Sequence, residues 1–148
     1  AGEVDGAVIC GMGGPLMVRI LQTSYAVWQS LKFVVLQPQS DAGALRRYLY
    51  EHGWHIEDER LVIDDGRLYE LMRAVPGQAG ALPDWIYDIG PVNWQRRDPL
   101  LSRKIDILME TKGHILEGLK KSRKDVHERM EKIESELRFW RELKWQLQ

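Results

Sequence analysis

The chain opens with two apolar runs, each followed at once by residues that break a strand. Ala7-Val8-Ile9-Cys10 runs into Gly11-Met12-Gly13-Gly14, and Lys32-Phe33-Val34-Val35-Leu36 runs into Gln37-Pro38-Gln39. Short apolar runs bounded by turn residues read as buried strands, and an open α/β sheet places its ligand site at the strand carboxyl ends. A helix follows each run. Pro15–Leu21 starts with proline where a missing amide costs little, and Asp41–His52 sets Leu45, Tyr48 and Leu49 on one face with Gly53 just past its end. Two βα units in succession point to the α/β class.

The next strands differ in kind. Trp54–Ile63 and Leu68–Val75 are joined by Asp64-Asp65-Gly66, and Asp-Gly suits the positive-φ turn of a hairpin. An antiparallel pair after parallel βα units resembles, by analogy of topology alone, the second half of a Rossmann-like methyltransferase sheet, with the final strand inserted next to the sheet end. Pro76–Pro91, punctuated by Pro76-Gly77, Gly80, Pro83 and Gly90-Pro91, reads as a loop. Beyond it the period becomes helical. Leu101, Ile105, Leu108, Ile115 and Leu119 form one seam, interrupted by Lys112. Val126, Met130, Ile133, Leu137, Trp140 and Leu147 form another, interrupted by Lys144. Ser122 and Asp125 have capping-box-like spacing between the seams. An antiparallel helical hairpin turning near Ser122 accounts for this pattern, and one long helix dimerising with a second copy is the alternative. The expected division is an α/β domain over 1–91 and a coiled-coil helical hairpin over 92–148.

Composition narrows the function. The 148 residues are 44% hydrophobic and 29% charged, which suits a packed domain, and a formal net charge of −1 argues against a protein that coats nucleic acid generally. The single cysteine, Cys10, lies inside an apolar strand, so a reducing cytoplasm is expected. No apolar run reaches the ~20 residues that span a bilayer, so no membrane partner is expected. His52, His55, His114 and His127 lack metal-site spacing, and no metal is expected.

Several motifs occur in one order. Gly11-Met12-Gly13-Gly14 with Ile20-Leu21, Leu36-Gln37-Pro38-Gln39, Leu45-Arg46 with Tyr48-Leu49, Gly53-Trp54 with Ile56 and Glu59, and Asp65-Gly66 followed by Tyr69-Glu70 together resemble the bacterial tRNA (adenine(22)-N(1))-methyltransferase (TrmK-like) family. The resemblance runs from about Asp5 to Val75 and extends in kind to the helical hairpin. It implies a Rossmann-type domain that uses S-adenosylmethionine, a C-terminal coiled coil, and methylation of N1 of an adenine in tRNA. The family's acidic-glycine turn and its ribose-binding acid would precede Ala1. The chain is therefore expected to be the C-terminal portion of a larger enzyme, carrying the wall that faces the methyl group and the target base. Cys10 stands where the family usually has alanine. A non-catalytic RNA-binding or coiled-coil interaction module derived from a methyltransferase is the competing class.

The chemistry suits these residues. Adenine N1 carries its own lone pair at neutral pH, so attack on a sulfonium methyl needs access and alignment rather than a general base. Cys10, Gly11, Met12, Gly13 and Gly14 are the expected cofactor-side residues, although the glycines equally suit a tight strand-to-helix turn. Gln37 and Gln39 offer amides to an adenine edge, and Pro38 stiffens their loop, which read plainly is an ordinary loop. Glu70 is a candidate for balancing the cationic product, with a surface hydrogen bond as the alternative.

Basic residues complete the expectation. Lys120, Lys121, Arg123 and Lys124 cluster at the hairpin tip, and Arg96, Arg97, Arg103 and Lys104 near its base, where they could meet separated phosphates of a folded RNA. The alternative is a solvated helix surface. The full-length enzyme is expected to be a monomer. Half of a sheet leaves an unpaired edge, so the fragment could self-associate.

Overall fold

A computed structural model describes residues 2–122 and 125–147 of the chain. They form two compact units, 1–98 and 99–148. The first holds β1 (Gly6–Met12), α1 (Gly14–Thr23), α2 (Tyr25–Trp28), β2 (Phe33–Pro38), α3 (Ala42–Glu51), β3 (Trp54–Asp64), β4 (Arg67–Pro76), α4 (Asp84–Ile89) and α5 (Pro91–Gln95).

Strand order is β1-β2-β4-β3, so the last strand is inserted between its two predecessors. β1 and β2 are parallel, while β4 is antiparallel to β2 and β3. The β3–β4 turn adopts the conformation that Asp-Gly favours, with φ of 46° at Asp65 and 74° at Gly66. Side chains alternate across the sheet. Val34 and Leu36 of β2, Ile56 of β3 and Met72 and Ala74 of β4 join Met17 of α1 and Leu45 and Leu49 of α3 in one core. The opposite face is open at Val8, which is 67% exposed, and at Leu71.

Two expectations about this unit are corrected. Cys10 is exposed, because alternation along β1 puts it with Val8 on the open face of the sheet, while Ala7 and Ile9 pack against the core. The stretch read as a loop over Pro76–Pro91 contains α4, whose Ile86, Tyr87 and Ile89 are buried, and α5 begins at Pro91. Both helices stay with the first unit, which therefore ends at Asp98 rather than at the expected position 91.

The second unit pairs α6 (Leu101–Lys120) with α7 (His127–Trp145). The two lysines that interrupt the apolar seams explain how. Lys112 Nζ donates to Glu136 at 2.6 Å, and Lys144 Nζ donates to Asp106. Each pair joins one helix to the other, and the numbers rise on α7 as they fall on α6, as an antiparallel hairpin requires. Leu116, Ile133 and Leu137 form its core, with Met109, Leu119 and Met130 packed against them. On α7, Met130, Ile133, Leu137 and Trp140 fall on the expected seam, whereas the buried Leu143 was not expected there and Val126 and Leu147 lie beyond the helix ends. The α6 seam moves over by one position past Ile105, through Met109, Lys112, Leu116 and Leu119, and leaves Ile115 41% exposed. The expected capping motif ends at Asp125, which accepts from the His127 amide.

Candidate functional site

The carboxyl ends of β1 and β2 are tied together by three hydrogen bonds. The Gly11 amide donates to Gln37 Oε1 at 2.9 Å. The Gln39 amide donates to the Met12 carbonyl at 2.8 Å, and the Gly14 amide to the Ser40 carbonyl at 2.7 Å. Local sequence dictates each contact. Gly11 is passed over in the β1–β2 register, where Cys10 faces Gln37 and Met12 faces Pro38, and its φ of 76° turns its amide toward the Gln37 side chain. At Gly14 the loops approach so closely that a Cβ would lie 2.3 Å from the Asp41 carbonyl oxygen. Asp41 then caps α3 by accepting from the Ala44 amide.

The expected residues Gly11, Met12, Gly13, Gly14, Gln37, Pro38 and Gln39 are thus brought together, with Cys10 exposed beside them. At Gly11 the space where a side chain would stand is open, and its nearest neighbour there is Gln39 Nε2 at 3.9 Å. Gln37 Nε2 is buried and has no hydrogen-bond partner among the described residues. The glycine with open space beside it and the fixed amide stand at the strand ends, where flat or chain-like ligands can approach backbone. Room at Gly11 and a donor at Gln37 fit a nucleoside-type group. Among the described residues no cluster of histidine, cysteine and carboxylate side chains could hold a metal ion.

Glu70, two residues before Met72, which faces Leu36 of β2, lies in a buried ion-pair network. It is 9% exposed, and its carboxylate accepts from Arg46 at 2.8 Å. Fully buried Arg46 also donates to Glu59 at 3.0 Å and to the Tyr87 carbonyl at 2.9 Å. Glu59 in turn accepts from the amides of Val92 and Asn93 at 2.7 and 3.0 Å, at the start of α5. Burial by itself lowers the pKa of Arg46, but the charges of Glu70 and Glu59 outweigh that and hold it above the ordinary guanidinium range.

The roles of Arg46 and Glu59 escaped the reading of the sequence, although both lie in its ordered motifs. A signal was present. Ala42, Leu45, Arg46 and Leu49 follow i, i+3, i+4, i+7 spacing, which puts Arg46 in the buried stripe of α3.

The basic residues are spread over separate places. Lys120 and Lys121 are exposed at the end of α6, and Arg97 is exposed with a φ of 50°. Arg96 pairs with Asp58, so it is no uncommitted phosphate ligand. Arg103 is exposed, whereas Lys104 is buried and withdrawn from any RNA-facing surface. Arg123 and Lys124 lie outside the described residues. No helix among the described residues is long and apolar enough to cross a membrane.

Comparison with known proteins places this geometry. A family model described as TrmK, tRNA (adenine(22)-N(1))-methyltransferase, matches residues 1–142. The tRNA (adenine(22)-N(1))-methyltransferase of Bacillus subtilis is 34% identical over 85 residues, 57% of this chain and 36% of that protein. The crystal structure of the B. subtilis m1A22 tRNA methyltransferase TrmK superposes with a TM-score of 0.80 at 22% identity, covering 95% of this chain and 63% of that one. The M. capricolum TrmK structure, in complex with S-adenosyl-homocysteine, superposes with a TM-score of 0.76 at 16% identity, covering 100% and 64%. The fold is shared over nearly the whole chain. The chain spans about a third of the length of its B. subtilis sequence relative and under two thirds of the solved chains.

Proposed function

This chain belongs to the TrmK family of tRNA (adenine(22)-N(1))-methyltransferases, and from that premise we propose that it supplies the target-facing wall of an S-adenosylmethionine-dependent enzyme that methylates N1 of an adenine in tRNA. The observation that carries the proposal is the triply hydrogen-bonded junction of the glycine loop and the Gln37–Gln39 loop. It sits at the strand ends, where an open α/β sheet binds its ligand. Gly11 to Gly14 and Cys10 would border the cofactor, which when bound supplies an electrophilic methyl group. Gln37 and Gln39 would hold the base by its edge and Pro38 would limit the motion of their loop.

The residues here have only to align. N1 needs no proton removed before it attacks, so the rate gain comes from holding an exposed adenine in line and excluding water around it. Exposed Lys120, Lys121 and Arg97 would meet phosphates, together with Arg123 and Lys124. The complete enzyme would act as a monomer in the cytoplasm, where tRNA is available. The domain boundary in function is proposed at the start of α6.

Calorimetric titration with S-adenosylhomocysteine tests the division of labour. The 148-residue chain should release no binding heat, and the chain joined to the upstream segment of its family should bind one equivalent. Binding by the chain alone would contradict the assignment of the cofactor cradle to that segment, and binding by neither would contradict the cofactor.

A further inference from the structure

The Gln37 amide is held in one orientation. Only its carbonyl can accept from the Gly11 amide, and that bond is 2.9 Å long. The remaining end, Nε2, is therefore a donor. It is buried without a hydrogen-bond partner among the described residues, and Gly11, whose amide holds the other end, has open space in place of a side chain. A buried donor left unmade is costly, and an acceptor that reaches it, such as a ligand atom, removes that cost.

Adenine offers few choices to such a donor. Its exocyclic N6 carries hydrogens and is itself a donor. N1 must keep its lone pair for the methyl group. The acceptors left are N7 and N3. We infer that Gln37 is a specificity-determining residue that reads the target adenine by donating from Nε2 to one of its non-reacting ring nitrogens, N7 or N3. The inference rests on the proposed adenine-N1 methylation and deepens it by naming the contacted edge. It also gives Gly11 a second task. Its positive φ lets its amide hold the carbonyl end of Gln37, so the donor end is presented in a fixed direction before the base arrives.

The experiment combines an atomic change in the RNA with one in the protein. Single-turnover methyl transfer by the full-length polypeptide is measured on tRNA carrying adenosine, 7-deazaadenosine or 3-deazaadenosine at the methylated position. Either deaza base keeps N1 and makes it no weaker a nucleophile. One of the two should slow transfer by roughly ten- to a hundredfold, the scale of a lost buried hydrogen bond, and the other by less than about threefold. The Gln37→Glu variant keeps an acceptor for the Gly11 amide and loses the donor. It should slow transfer to ordinary tRNA by a similar factor and show no further loss on the sensitive deaza RNA, because the same bond is removed twice. Equal rates of the wild-type protein on all three RNAs would overturn the inference, as would a deaza effect that persists undiminished in the variant. If Gln37→Glu does not fold, the deaza comparison on the wild-type protein still decides. Failure of the wild-type protein to methylate any tRNA would overturn both the inference and the methyltransferase assignment, whereas methylation insensitive to both deaza bases would overturn the inference alone.

Discussion

The sheet unit and the helical hairpin both place charge where apolar residues would be expected, and they handle it differently. In the sheet unit the Arg46 guanidinium is fully buried between Glu59 and Glu70 and hydrogen-bonded to a backbone carbonyl. In the hairpin, Lys112 and Lys144 sit on the seam with side chains that keep 22% and 28% of their exposure, each on one carboxylate of the facing helix. The first arrangement ties four elements together and tolerates no missing partner. The second is half-solvated, contributes little net stability, and fixes which residues of the two helices lie opposite each other.

The sharpest way to break that contrast is to remove Arg46. Arg46→Met leaves two buried carboxylates and should cost about 3–5 kcal/mol in urea unfolding. A cost below about 1 kcal/mol would contradict the account, because it would mean that the two carboxylates do not depend on the guanidinium.

Core truncations should follow the same order. Leu45→Ala, at a position with no exposure, should cost about 3–5 kcal/mol, while Leu137→Ala, near the rim of the small hairpin core, should cost about 2 kcal/mol. Unfolding curves of the two variants measure the difference.

Replacing both seam lysines by leucine should be neutral or stabilising by about 1 kcal/mol. It removes the register, so sedimentation velocity should show more self-association than for the parent chain. A large loss of stability would mean that these pairs resemble the buried cluster after all.

The smallest effect belongs to the surface. Burial alone would raise the Asp58 pKa, but Arg96 and Arg60 hold it below the ordinary carboxylate range. Its contribution is present above the unfolded pKa and fades as pH falls through the lower folded value. Because Asp58 is 41% exposed, Asp58→Asn should cost under about 1 kcal/mol at pH 7 and nothing at pH 2.

Local rules made much of this fold legible. Asp65-Gly66 announced the hairpin, and the spacing from Met130 to Trp140 announced most of the α7 seam, though it passed over Leu143. What escaped depends on partners distant in the sequence. Cys10 looked buried because its neighbours are apolar, yet which sheet face is covered depends on the helices packed against it. Lys112 looked like an interruption, and only Glu136 on the other helix shows it to be part of the seam. In α6 a one-residue ambiguity, Leu108 or Met109 and Ile115 or Leu116, cannot be resolved by a run that is apolar at both positions. At the candidate site the two loops were legible as loops and their residues as donors and acceptors. The bond that holds them together was not, because Gly11 and Gln37 are 26 positions apart.

The most direct measurement is a primer-extension map of tRNA after incubation with the full-length polypeptide and S-adenosylmethionine. N1-methyladenine blocks reverse transcription, so the account requires one new stop, at a single adenine, that disappears when the cofactor is withheld. No new stop, or stops scattered over many adenines, would contradict it.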